Sequence, residues 1–131
     1  MDRGGRMLKE KLFHGYEIQC DVIQMGKDYT IALYGGEQPH VGCVVMTTAR
    51  PSLSGTGIGV TSSVISSVGH KEEIVARRFA ERLAKEKNCT VVCSCGIHID
   101  NITSEQIDIV QEKCEKLIDR ILAEGAAALN T

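Results

Sequence analysis

Apolar and polar positions alternate from Tyr16 to Met25, most clearly over the first half of the run (Tyr-Glu-Ile-Gln-Cys-Asp). A period of two is what a strand with one buried face requires. Gly26-Lys27-Asp28 breaks the run, and Tyr29 to Tyr34 resumes it, so the pair predicts an antiparallel hairpin. Val41 to Thr48 and Val60 to Val68 read as two more strands, the second unusually rich in hydroxyls. The segment between them, Arg50-Pro51-Ser52-Leu53-Ser54-Gly55-Thr56-Gly57-Ile58-Gly59, is a loop, because a proline and three glycines oppose regular structure. After Gly69 the period changes. Ile74, Ala76, Phe79, Ala80, Leu83 and Ala84 recur at helical spacing, with acids in the first turn and lysines in the last, as the helix dipole favours. Cys89 to Cys95 is almost continuously apolar and predicts a strand buried on both faces. Thr103-Ser104-Glu105-Gln106 is a capping box, opening a helix whose stripe runs from Ile107 to Leu122.

The expected order is β-β-β-β-α-β-α. This is an α+β domain with one mostly antiparallel five-stranded sheet and two helices packed on one face. The length of 131 residues suits a single domain. Residues 1–14 and 125–131 are read as flexible tails. With β-branched residues on both sheet faces, a homo-oligomer is expected.

Composition narrows the function. Net charge is −2, with acids and bases interleaved, which lacks the clustered basic footprint of a nucleic-acid binder. No apolar run approaches the length of a membrane span, and the basic start has no apolar segment behind it, unlike a secretory signal. A cytoplasmic protein is expected. The six cysteines lie within apolar patterns, so they read as buried free thiols. Cys93-Ser94-Cys95 has no second pair to complete a zinc site.

Three polar segments carry residue types unsuited to a core: Pro39-His40-Val41-Gly42; Arg50-Pro51-Ser52; and Thr61-Ser62-Ser63 through Gly69-His70-Lys71-Glu72. A strand, a glycine and a helix start in succession present free backbone amides to an anion. Lys71 and His70 add charge there, so a phosphate or carboxylate is the natural guest. Neither a Walker loop nor a dinucleotide fingerprint is present. His98 and Asp100, followed by Asn101, form an H-x-D pair that suits polar ligand contact, metal ligation or a merely structural role. No nucleophile elbow is found, and apolar surroundings disfavour a catalytic thiol. The segments therefore favour a binding protein over an enzyme.

In this order, Gly35-Gly36-Glu37-Gln38-Pro39-His40-Val41-Gly42, Ala49-Arg50-Pro51-Ser52-Leu53, Thr61-Ser62-Ser63-Val64 with Gly69-His70-Lys71-Glu72, and Gly96-Ile97-His98-Ile99-Asp100-Asn101-Ile102 resemble the LpdD-type family. These are small proteins encoded beside UbiD-type aromatic-acid decarboxylases and described as prenylated-flavin chaperones. The resemblance spans roughly Tyr16 to Leu122. It implies a carrier for prenylated FMN, or for FMN, with a UbiD-type decarboxylase as partner. On that reading the cofactor-binding residues are His40, Gly42, Arg50, Ser52, Thr61, Ser63, Gly69, His70, Lys71, His98, Asp100 and Asn101. Residues 69–71 and Arg50 would take the phosphate. Val41, Gly42, Ile58 and the strand-four hydroxyls would line the ring, and His40, His98 and Asp100 would bond its polar edge. Two alternatives stay open. One is a small metal-dependent enzyme with His70, His98 and Asp100 as ligands, and the other is an accessory subunit of a decarboxylase. The join at Gly69, His70 and Lys71 is expected to converge with the two other histidine-bearing loops on one pocket, with His40, Arg50, Lys71 and His98 on the same side of the molecule.

Overall fold

The computed structural model describes residues 5–67 and 72–129, with side chains to Glu124. The elements are β1 (Gly5–Lys11), β2 (Glu17–Met25), β3 (Asp28–Gly36), β4 (Cys43–Pro51), β5 (Ile58–Ser66), α1 (Glu72–Lys87), β6 (Thr90–His98) and α2 (Ser104–Leu129). They build the α+β architecture that the periodicities predict: one mixed, mostly antiparallel sheet carrying two helices.

The sheet has six strands rather than the expected five, in the order β1-β2-β3-β6-β4-β5. The extra strand lies in the segment read as a loose tail. Leu8 is buried, but its inward neighbours Arg6 and Glu10 are charged, which hides the alternation. Tertiary partners explain them. Arg6 pairs with Glu124 at 3.1 Å, and Glu10 accepts from Arg120 at 2.9 Å, so α2 neutralises what β1 turns inward. The β1–β2 turn passes through His14 and Gly15, both at positive φ. At the other end, α2 continues through the alanines read as a fraying tail to Leu129.

Only β3 and β6 pair in parallel; the other neighbours are antiparallel. Inward positions of the central strands (Ile18, Cys20, Val22, Ile31, Leu33, Val45, Val91, Cys93) meet Phe79, Leu83, Leu117, Ile118 and Ile121 of the helices in one core. Thr47, fully buried, bonds Ser62 at 2.8 Å, and Ser62 donates to Glu81 on α1 at 2.7 Å. The Ser62 hydroxyl, on the hydroxyl-rich strand β5, is thus a packing element under α1. Arg82 ties the helices together through Asp119 at 2.6 Å and Glu115 at 3.0 Å.

Helix ends follow the local chemistry. Asn88, at φ 50°, closes α1, and the Cys89 amide donates to Ala84 O at 3.1 Å in a Schellman arrangement. Thr103 Oγ1 accepts from the Gln106 amide at 3.1 Å while Gln106 Oε1 accepts from the Thr103 amide at 3.0 Å. This is the reciprocal box that the sequence predicts. Thr103→Ala is expected to lower stability by about 1 kcal/mol, read as a shift in urea midpoint at constant m-value.

Candidate functional site

The site is built at the carboxyl end of β6. Because β6 is inserted between β3 and β4, the connection from Gly36 to Cys43 must cross over its end. The crossing is tied down by backbone bonds: Glu37 N donates to His98 O at 2.7 Å and Gly42 N donates to Cys95 O at 2.8 Å. At Gly96 the loop presses so closely that a Cβ would overlap the His40 carbonyl. Gly42 is less severely constrained, since its Cβ would stand 3.0 Å from the Glu72 carboxyl carbon and 3.2 Å from His40 Nε2, both side-chain atoms.

The crossing delivers His40 to the first turn of α1, where its Nε2 lies 3.0 Å from Glu72 Oε1. His98, the last residue of β6, has its ring centroid 6.4 Å from that of His40 and bonds Asp100 at 2.7 Å. The backbone reverses through Asn101, at φ 55°, a conformation asparagine tolerates better than most residues. Glu37 accepts from the Asp100 amide at 2.9 Å. Tyr16 has its hydroxyl pKa raised, by partial burial first and then by the Glu37 carboxylate.

Beneath this polar cap lies a cavity of about 630 Å³, within the range typical of small-molecule sites. Cys95 and Ile97 of β6 form its floor, Ile74 and Val75 of α1 one wall, and Ile107, Val110 and Gln111 of α2 the other. His98, Ile99, Asp100, Asn101 and Ile102 close it, and Glu72 stands at its edge. The interior is aliphatic, and hydrogen-bonding groups gather at one side. Burial pushes the Cys95 thiol pKa upward, so this lining thiol is held neutral.

The expected convergence is partly realised. His40, Gly42, His98, Asp100 and Asn101 come together. Arg50, Ser52, Thr61 and Ser63 do not. Cys43 pairs with Cys95 at the site end of the sheet, and Arg50 lies seven residues further along β4, roughly 23 Å away at strand rise. There Arg50 donates to Thr61 Oγ1 at 2.7 Å and to Val60 O at 3.2 Å, so it braces the β4–β5 hairpin. Ser52 bonds Ser54 at 2.9 Å within the loop. Thr61 and Ser63 point away from the helices. The antiparallel β4–β6 register runs β4 away from the cavity, so both ends of β4 cannot serve one pocket. Gly69, His70 and Lys71 lie outside the described residues. Among the described residues no three His, Cys, Asp or Glu side chains gather as metal ligands would. No described helix is long and apolar enough to cross a membrane.

Reading the sequence alone misses Glu72, Glu37 and the aliphatic lining. Glu72 looks like dipole compensation, and Ile74 like part of a core stripe. The one available signal is an isoleucine placed so early on α1, before the stripe has any strand to cover it; Ile74 is in fact 60% exposed.

The chain thus combines a mixed sheet carrying two helices on one face with an apolar cavity capped by polar groups at a strand end. The chain belongs to the prenylated flavin chaperone LpdD-like domain family, whose model matches residues 13–126. It is similar to Protein LpdD of Lactiplantibacillus plantarum, with 28% identity over 111 residues, covering 83% of this chain and 77% of that one. In fold it resembles a chain from the crystal structure of a chaperone complex for yeast 20S proteasome assembly. The TM-score is 0.53 at 9% identity, covering 90% of this chain and 98% of the other.

Proposed function

We propose that the protein is a non-catalytic cytoplasmic carrier for prenylated FMN, or a closely related phosphate-bearing flavin, and serves a UbiD-type aromatic-acid decarboxylase. The observation that carries this reading is the cavity between α1 and α2, aliphatic within and hydrogen-bonding at one side, in a chain of the LpdD-like family. A flat ring system suits the slot between the two isoleucine-bearing walls. Its polar edge faces His98, Asp100 and Asn101, which supply both donors and acceptors.

The phosphate needs a cation. The charged residues among the described lining are Glu72 and Asp100, both acidic. Lys71 directly precedes Glu72 in the chain, so in this proposal Lys71, with Gly69 and His70, takes the phosphate at the cavity edge. Arg50, Ser52, Thr61 and Ser63 have no part in the slot. Covering an oxygen-sensitive ring with aliphatic side chains, while offering it no activated thiol, fits storage and delivery rather than turnover.

Anaerobic titration with prenylated FMN is expected to give a saturable change in the flavin spectrum and a raised melting temperature. His98→Ala should weaken binding about fivefold to tenfold, the worth of one hydrogen bond. Val75→Trp should abolish binding by filling the slot while leaving the far-UV circular dichroism intact. Absence of both a spectral and a thermal response, with prenylated FMN and with FMN, would sink the reading.

A further inference from the structure

The face of the sheet away from the helices is the largest feature that the cavity leaves unexplained. Registers place its outward residues in rows. One runs Asp21, Ala32, Ser94, Val44 and Ile65; the next runs Ile23, Thr30, Val92, Met46 and Ser63. Across β3, β6, β4 and β5 these rows carry no charge. A solvated sheet face ordinarily alternates with charged and strongly polar side chains. Here Met46 is 50% exposed and Ile65 76%. The one acid in the rows, Asp21, accepts from Tyr34 OH at 2.8 Å and from Gln19 at 3.1 Å, so its charge is already engaged within the face.

We infer that this face is covered by a second copy of the chain, stacked sheet on sheet. Area and the residues of the two central rows favour that occupant. Six strands of up to nine residues make a face of about 700–850 Å², at roughly 4.8 Å between strands and 3.3 Å per residue. A standard interface buries about 800 Å² on each partner, so one sheet is large enough to hold another. A two-fold contact lays one patch on itself. The two central rows, of valines, methionine, isoleucine and small hydroxyl residues, do so without like-charge opposition. The charges of this face (Lys9, Lys11 and Glu17 on β1 and β2, Arg50 on β4) lie outside them, apart from the engaged Asp21. Face-to-face sheets interdigitate such residues at about 10 Å spacing. The proposed dimer leaves both cavities open, because they lie on the helical side. It stands independently of the flavin reading.

Sedimentation velocity of the full chain across a concentration series tests the inference. The expected result is a species of twice the 14.3 kDa chain mass that dissociates in both Ile65→Asp and Met46→Arg. Both positions are exposed on the sheet's outer face, so each variant should keep its circular dichroism and its melting cooperativity. Peroxide footprinting of the wild-type chain needs no variant: oxidation of Met46 should slow as protein concentration rises. A wild-type monomer throughout the series overturns the inference. So does a dimer that survives both substitutions, or Met46 oxidation that does not depend on concentration. If the wild-type chain is monomeric and Ile65→Asp instead loses a decarboxylase, the face belongs to another protein and the second copy is excluded.

Discussion

Gly96→Ala is expected to destabilise the protein by about 3 kcal/mol or more and to abolish ligand binding. A Cβ at this position would occupy the space of the His40 carbonyl oxygen, with its carbon and the Val41 amide close behind. The obstacle is backbone, so no rotamer change relieves it. Overpacking a well-filled site costs about 1–3 kcal/mol where side chains can give way, and here the crossing loop itself must lift. Lifting it breaks Gly42 N to Cys95 O and Glu37 N to His98 O, and it withdraws His40 from Glu72. The measurements are a urea midpoint and a flavin titration on the same sample. A variant of wild-type stability that binds normally would show that the loop does not close over β6 as described. Gly42→Ala is the milder companion: its Cβ meets a side-chain carboxyl at 3.0 Å, and a side chain can move.

The second large effect is alkaline lability. All six cysteines are free and buried, and burial pushes each thiol pKa upward, that of Cys20 to about 12 and those of Cys93, Cys95 and Cys114 upward as well. The sign follows from proton linkage. An unfolded thiol ionises near pH 8.5, and the folded one does not until far higher pH. Between those values the unfolded state binds fewer protons, so stability falls as pH rises. The stabilisation is fully present below about pH 8 and is lost through the folded values. Each such thiol contributes about 1.4 kcal/mol per pH unit, or about 2 kcal/mol by pH 10. Four together rival the net stability of a small domain. Urea midpoints at pH 7, 8, 9 and 10 should therefore fall steeply, and Cys114→Ala should flatten the slope by one thiol's share. A midpoint unchanged from pH 8 to 10 would mean that the thiols are accessible to solvent.

Much of the fold was legible because one physical rule, burial of one face, writes itself into spacing. Period two marks β2, β3 and β4, period 3.6 marks α1 and α2, and Thr103 with Gln106 marks where α2 begins. The rule failed at β1, where the inward Arg6 and Glu10 look polar until α2 is seen to neutralise them. It also placed the end of β6 too early, at Cys95, because the glycine that follows looks like a terminator. Gly96 is in fact a contact point, where only a missing side chain lets the crossing loop pass. The site divided along the same line. His98, Asp100 and Asn101 are close in the chain, so their proximity was predictable. His40 and Glu72 are thirty-two residues apart and meet at 3.0 Å, which depends on β6 being threaded between β3 and β4.

By itself the sequence determined the element types, the capping of α2, the neutral buried thiols and the family likeness. Each of these depends on residues near one another in the chain or on composition. Only the tertiary structure decided that His40 joins His98 while Arg50 is carried to the far end of the sheet, that a cavity opens between α1 and α2, and that one sheet face exposes two central rows of mostly uncharged residues. Those outcomes follow from strand order and direction. Order and direction are set by how the whole core packs, and no local pattern of residues records them.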